Sequence, residues 1–194
     1  MPNGGSIRHP LEVFYKSPVK DIYCWNAIIS GLTLYGNGYA ALKLFDYMND
    51  DCMKADDITF VWLLSACSNT GFVQEGCDVF SGLEKDCGIT PKIEHYGCMV
   101  DLLGRFGLLD CAIKLIEVMP FEPTESILEA LLSACIVHQD LETRERVIKL
   151  ISTRAHYLSD GELMMSAGLY ASCGQWEEAK RWRNMMNDAI RYAY

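Results

Sequence analysis

The chain has 194 residues, half of them apolar, and a formal net charge of −9. That size and composition suit one substantial buried core and exclude collagen-like and disordered classes, while the acidic balance weighs against a partner held mainly by phosphate contacts. Nine cysteines occur without a CxxC pair, and no Cys-rich segment is paired with His at metal-ligand spacing, so they read as reduced thiols acting as small hydrophobes, not as a disulfide or metal framework.

The N-terminal "MPNGGSIRHP" is neither a secretory signal nor an Arg- and Ser-rich transit peptide. Residues 4–18 read as the second helix of a repeat unit whose first helix is missing, which would make the chain the C-terminal piece of a longer array. Pro10 sits badly in such a helix, where an interior proline costs about 3 kcal/mol. The next stretch, Cys24 to Leu42, is uncharged over 19 residues. Asn26, Ser30, Gly31, Thr33, Gly36, Asn37 and Gly38 within it argue against a membrane span, and "YGNGY" breaks it into two helices.

From there the pattern repeats. Large apolar anchors at Trp25, Phe60, Tyr96, Leu128 and Leu163 are spaced 35, 36, 32 and 35 residues apart. Eleven residues after each stand Gly36, Gly71, Gly107, Gln139 and Gly174, and sixteen after each stand Ala41, Gly76, Ala112, Arg144 and Ala179. The glycine suits a left-handed turn that ends a helix, and the small residue suits a close helix crossing. Apolar residues recur at helical spacing on both sides, as in "WNAIISGLTLY" then "YAALKLFDYM". Such hairpins bury their apolar faces only by stacking. The expected fold is all-α, a right-handed α-solenoid of five helix-turn-helix units. The pentapeptide "LLSAC", present at 63–67 and again at 131–135, marks the interior of a first helix in two of them. In the last unit, "WEEAKRWRNMMN" reads as an amphipathic helix packed on its neighbour. Its Trp176, Trp182, Met185 and Met186 alternatively form an exposed end face open to a further domain, a partner or self-association.

No catalytic centre is legible. None of His9, His95, His138 and His156 is followed two residues later by Glu, so the zinc deaminase signature is missing. No G-x-S-x-G, P-loop or H-E-x-x-H occurs either. The reading is of a non-enzyme without cofactor or metal.

A period near 34 admits tetratricopeptide and pentatricopeptide repeats, and the Trp, Leu-Gly and Tyr pattern of the former is not present. The segments "DIYCWNAIISG", "DDITFVWLLSACSNTGFVQEG", "IEHYGCMVDLLGRFG", "VMPFEPTESILEALLSACIVH" and "LYASCGQWEEA" resemble the closing units of plant pentatricopeptide repeat proteins of the mixed-length class, which serve as organellar RNA editing factors. The resemblance covers residue 4 to about 188. It implies a standard unit at 22–56, a long one at 57–92 and a short one at 93–124. Two units of a C-terminal extension would follow at 125–159 and 160–193.

In this family the fifth and last residues of a unit read one RNA base, and the second residues of that unit and the next sandwich it. The resemblance therefore implies that Asn26 and Asp56 read a base, in the pairing that favours uracil, between Tyr23 and Ile58. Without the family, Asn26 reads rather as a solvated residue near a helix start. The corresponding pairs Val61 with Lys92, and Gly97 with Thr124, are less clear readers, and Thr124 replaces the aspartate usual at its position. The extension departs from the pattern at Leu128, Leu163, Gln139 and Arg144. The implied partners are single-stranded organellar RNA and, through 125–193, deaminase-bearing or accessory editing proteins. The deaminase would either follow in the parent protein or be supplied by another. A competing expectation makes the chain a protein-docking module with little RNA binding of its own. The implied location is the mitochondrion or the chloroplast.

Overall fold

The computed structural model describes residues 8–17 and 20–139, then positions 143, 146, 147, 164, 167, 168, 170, 171, 176, 177 and 179–184. The described residues form helices and no strand. The chain divides into two compact blocks, Met1–Leu102 and Leu103–Tyr194.

In the first block, α1 (Arg8–Lys16) precedes two hairpins, α2 (Ile22–Leu34) with α3 (Gly38–Asp50), and α4 (Asp57–Thr70) with α5 (Val73–Lys85). Helix α6 (Ile93–Arg105) begins in this block. Pro10 lies within α1, whose described residues start at Arg8.

Helix α2 packs on α1, α3 and α4, and α4 packs on α3 and α5. Trp25, Ile29 and Leu32 of α2 meet Ala41, Leu44 and Met48 of α3 and Leu63 and Ala66 of α4 in one cluster. The Phe14 ring stands edge-on to Trp25 at 4.8 Å, which fixes α1 against the anchor of the first hairpin. The sequence places caps where the helices start. Asp21 accepts from the backbone N–H of Cys24 at 2.9 Å, Asn37 from Ala40 at 3.3 Å, and Asp56 from Thr59 at 2.8 Å. Helix α4 ends at Gly71, whose φ of 82° would strain any side chain and whose N–H closes on the Cys67 carbonyl at 2.8 Å.

In the second block, α7 (Leu109–Val118) packs on α8 (Glu125–His138). Ala112, Ile113 and Ile116 are buried, as are Ile127, Leu128, Leu131 and Leu132. Gln139 stands in the glycine column yet takes the same left-handed backbone, φ 52° and ψ 29°, as Gly107 does at φ 74°. The departure at Gln139 is thus one of residue type and not of turn geometry. Of the small column, Ala41, Gly76, Ala112 and Ala179 are buried. Arg144, Leu163 and Gly174, and with them most of 140–193, lie outside the described residues.

The two "LLSAC" copies are buried alike, with Leu63, Leu64, Cys67, Leu131, Leu132 and Cys135 all fully enclosed. Burial pushes the Cys67 thiol up to about 12, in keeping with a thiol packed as a small hydrophobe.

Candidate nucleic-acid interface

Packing of α2 on α4 brings residues 30 apart in sequence into one hydrogen-bonded group. Asn26 lies one turn into α2, and Asp56 is the N-cap of α4. The Asn26 amide N–H donates to the Asp56 carboxylate at 3.0 and 3.3 Å. The Thr59 hydroxyl lies 2.7 Å from Asn26 Oδ1 and 2.8 Å from Asp56 Oδ1, and accepts from the Asp56 backbone N–H at 3.2 Å. Only the NH2 end of an amide can face a carboxylate, so Asp56 fixes which way Asn26 points. An amide has two donors and two acceptor sites. Asp56 takes one donor and Thr59 one acceptor, which leaves one of each for a further partner.

Asn26 is only 8% exposed, whereas Tyr23 and Ile58, in the first turns of α2 and α4, are 78% and 52% exposed. A ring and a branched aliphatic of that exposure lose water when they contact a flat apolar surface. Thr59 completes this hydrogen-bonded group, and the fifth-and-last register does not find it. Its signal is the D-x-x-T string at 56–59, in which a capping residue is followed three positions later by a side chain able to reach back.

The next hairpin repeats the layout with different chemistry. Val61 is half-buried and Lys92 exposed. Together with Ile58, Trp62, Glu94 and His95 they line a shallow recess of about 340 Å3. The Lys92 ammonium pairs with the Asp57 carboxylate. That contact holds the Asp57 carboxyl below the usual carboxylate range and the Lys92 amine above its own. His95 takes the part that Thr59 plays one unit earlier. Its Nδ1 accepts from the Lys92 backbone N–H at 2.9 Å, and its Nε2 donates to the Asp57 carbonyl at 2.9 Å. Gly97 lies half-buried on α6, and Thr124 is the exposed N-cap of α8, its hydroxyl 2.9 Å from that of Ser126. Neither Val61 nor Gly97 presents a hydrogen-bonding side chain.

A profile described as PPR repeat matches residues 23–53 and 94–122. The chain carries pentatricopeptide repeats. Curated pentatricopeptide repeat proteins of Arabidopsis thaliana resemble it along nearly its whole length. One named chloroplastic is 41% identical over 184 residues, 95% of this chain and 30% of the relative. One named mitochondrial is 38% identical over 184 residues, 95% of this chain and 27% of the relative. The chain therefore spans about a third or less of the length of these relatives. Among solved structures, the maize pentatricopeptide repeat protein PPR10 superposes with a TM-score of 0.74 at 19% identity, over 94% of this chain and 26% of that one. The same protein in complex with an 18-nt psaJ RNA element gives 0.73 at 17% identity, over 94% and 27%. At that identity the likeness shows the fold, an all-α solenoid of helical hairpins. The Asn26, Asp56 and Thr59 group joins α2, within the matched residues 23–53, to the start of α4.

Proposed function

We propose that this chain binds single-stranded RNA and reads a uracil with Asn26, as part of an organellar C-to-U editing factor that positions a cytidine for a deaminase supplied elsewhere. The observation that carries the reading is the Asn26 amide held by Asp56 and Thr59. Asp56 and Thr59 leave the amide one further N–H and one further carbonyl lone pair. Uracil offers a carbonyl oxygen and the N3–H on its Watson–Crick edge, either of which can meet one of them. Tyr23 and Ile58 would cover the two faces of that base, with stacking worth about 1–3 kcal/mol for the aromatic. Val61 with Lys92, and Gly97 with Thr124, would select bases less sharply, since Val61 and Gly97 offer no polar side chain. The complex of PPR10 with an RNA element supports the RNA-binding part. The chloroplastic and mitochondrial names of the relatives support the organellar location.

The order of standard, long and short units followed by two extension units, which the sequence resemblance implies, supports the editing role, with 125–193 as the docking surface for deaminase-bearing or accessory proteins. The net charge of −9 and the exposed Met164 and Trp176 favour a second reading, in which this region docks proteins and contributes little to RNA affinity.

Anisotropy titration of a labelled single-stranded RNA, with the reading position varied among the four bases, tests the proposal. The native chain prefers uracil, and Asn26→Ala lowers affinity for the uracil RNA about two- to tenfold, the worth of one net hydrogen bond, while the other RNAs are unaffected. Base-independent binding that ignores Asn26→Ala would instead favour the docking reading.

A further inference from the structure

A cleft of about 830 Å3 opens between α3 and α5, where both helices lean on α4 without closing on each other. Its floor is aromatic. Phe60 of α4 is 1% exposed and meets Phe45 of α3 edge-on at 5.6 Å, and Phe72 closes one end. Tyr39, 63% exposed, stands at the lip. The rim carries four carboxylates, Asp46, Glu75, Asp78 and Asp86. The lysine among the lining residues, Lys43, is already paired with Asp46 at 3.2 Å and lies over the Tyr39 ring at 6.0 Å. Asn26, Asp56, Thr59, Tyr23 and Ile58 take no part in the lining.

We propose that this cleft docks a cationic peptide segment of a partner protein, with apolar side chains seated on the Phe45 and Phe60 floor and flanking Lys or Arg side chains on the carboxylate rim. Charge complementarity selects that occupant. A nucleic acid would bring phosphates against four carboxylates, and a second copy would bring another molecule of net charge −9. Aromatic floor and acidic rim together suit arginine, which can stack on Tyr39 while its guanidinium reaches a carboxylate. The surface is separate from the base-reading group, so it survives or fails independently of the RNA reading.

The test uses the whole 194-residue chain and two short fluorescent peptides, one with Arg spaced between Leu and Phe, the other with Glu in place of each Arg. The Arg peptide binds and the Glu peptide does not. The double variant Glu75→Lys, Asp78→Lys lowers affinity for the Arg peptide at least about tenfold, whereas the control Asp50→Lys, Asp51→Lys, on exposed residues outside the cleft, leaves it within about twofold. Circular dichroism checks that all three chains keep the same helicity. Equal binding by the two double variants overturns the proposal. So does self-association in sedimentation that the Glu75→Lys, Asp78→Lys change abolishes, since a second copy would then be the occupant.

Discussion

Thr59 serves two ends at once, closing the capping box that starts α4 and holding the carbonyl oxygen of Asn26. Thr59→Val keeps the volume and removes the hydroxyl, leaving Asn26 Oδ1 and the Asp56 N–H short of a partner in a buried place. A loss of about 1–3 kcal/mol in urea unfolding is expected, together with a weaker preference for uracil, while Thr59→Ser retains both. An unchanged unfolding midpoint in the valine variant would show that the hydroxyl is replaceable by water. Gln139 gives the opposite sign. Its left-handed backbone costs a side chain roughly 1–2 kcal/mol, a cost glycine avoids. Gln139→Gly should therefore raise the thermal midpoint, and Gly71→Ala, the reverse change at the matching turn, should lower it. Asn26 and Asp56 came from the family resemblance, laid on the repeat register. Thr59 stayed hidden because its role exists only when α2 packs on α4, a contact 33 residues apart. Gln139 misled for a local reason, since glycine is the usual sign of a left-handed turn and geometry can be enforced without it.

At the scale of helices, hairpin spacing depends on which glycines can accept a Cβ. A Cβ on Gly38, the first residue of α3, would lie 2.5 Å from Thr70 Oγ1 and 2.8 Å from the Ala66 carbonyl, a backbone atom that cannot retreat. On Gly76, within α5, it would meet the Leu102 Cδ2 methyl at 2.4 Å, the end of a side chain that can rotate, and Cys67 Cβ at 3.3 Å. Gly38→Ala should thus cost about 1–3 kcal/mol as an overpacked contact. Gly76→Ala should cost less, because alanine recovers about 1 kcal/mol of helix propensity. Chemical denaturation of the two variants ranks them, and a more damaging Gly76→Ala would contradict this picture of the crossings. The helices themselves were legible, since the anchor residues Trp25, Phe60 and Leu128 are all buried and their spacing carried the period. Gly38 was not, because its constraint comes from α4 and not from its own helix.

For the molecule as a whole, the excess of carboxylates makes acid the informative stress. Asp21 is held below the usual carboxylate range by the backbone N–H of Cys24, and Asp57 by the Lys92 ammonium. A carboxyl lowered in the folded state contributes stability that is complete above its unfolded value and is lost as pH falls through the folded one. Unfolding free energy should accordingly be level near neutrality and decline below about pH 4. The chain with Asp21→Asn and Asp57→Asn should decline less steeply there, and an identical acid limb would remove these two groups from the account. A base read by Asn26 meets its side-chain amide, and NMR can watch that group itself. The Asn26 side-chain NH2 signals, assigned by their loss in Asn26→Asp, should shift on titration with single-stranded oligouridine and stay in place with oligoadenine. Signals of Asn26 that remain still while oligouridine moves other parts of the chain would contradict base reading by this residue.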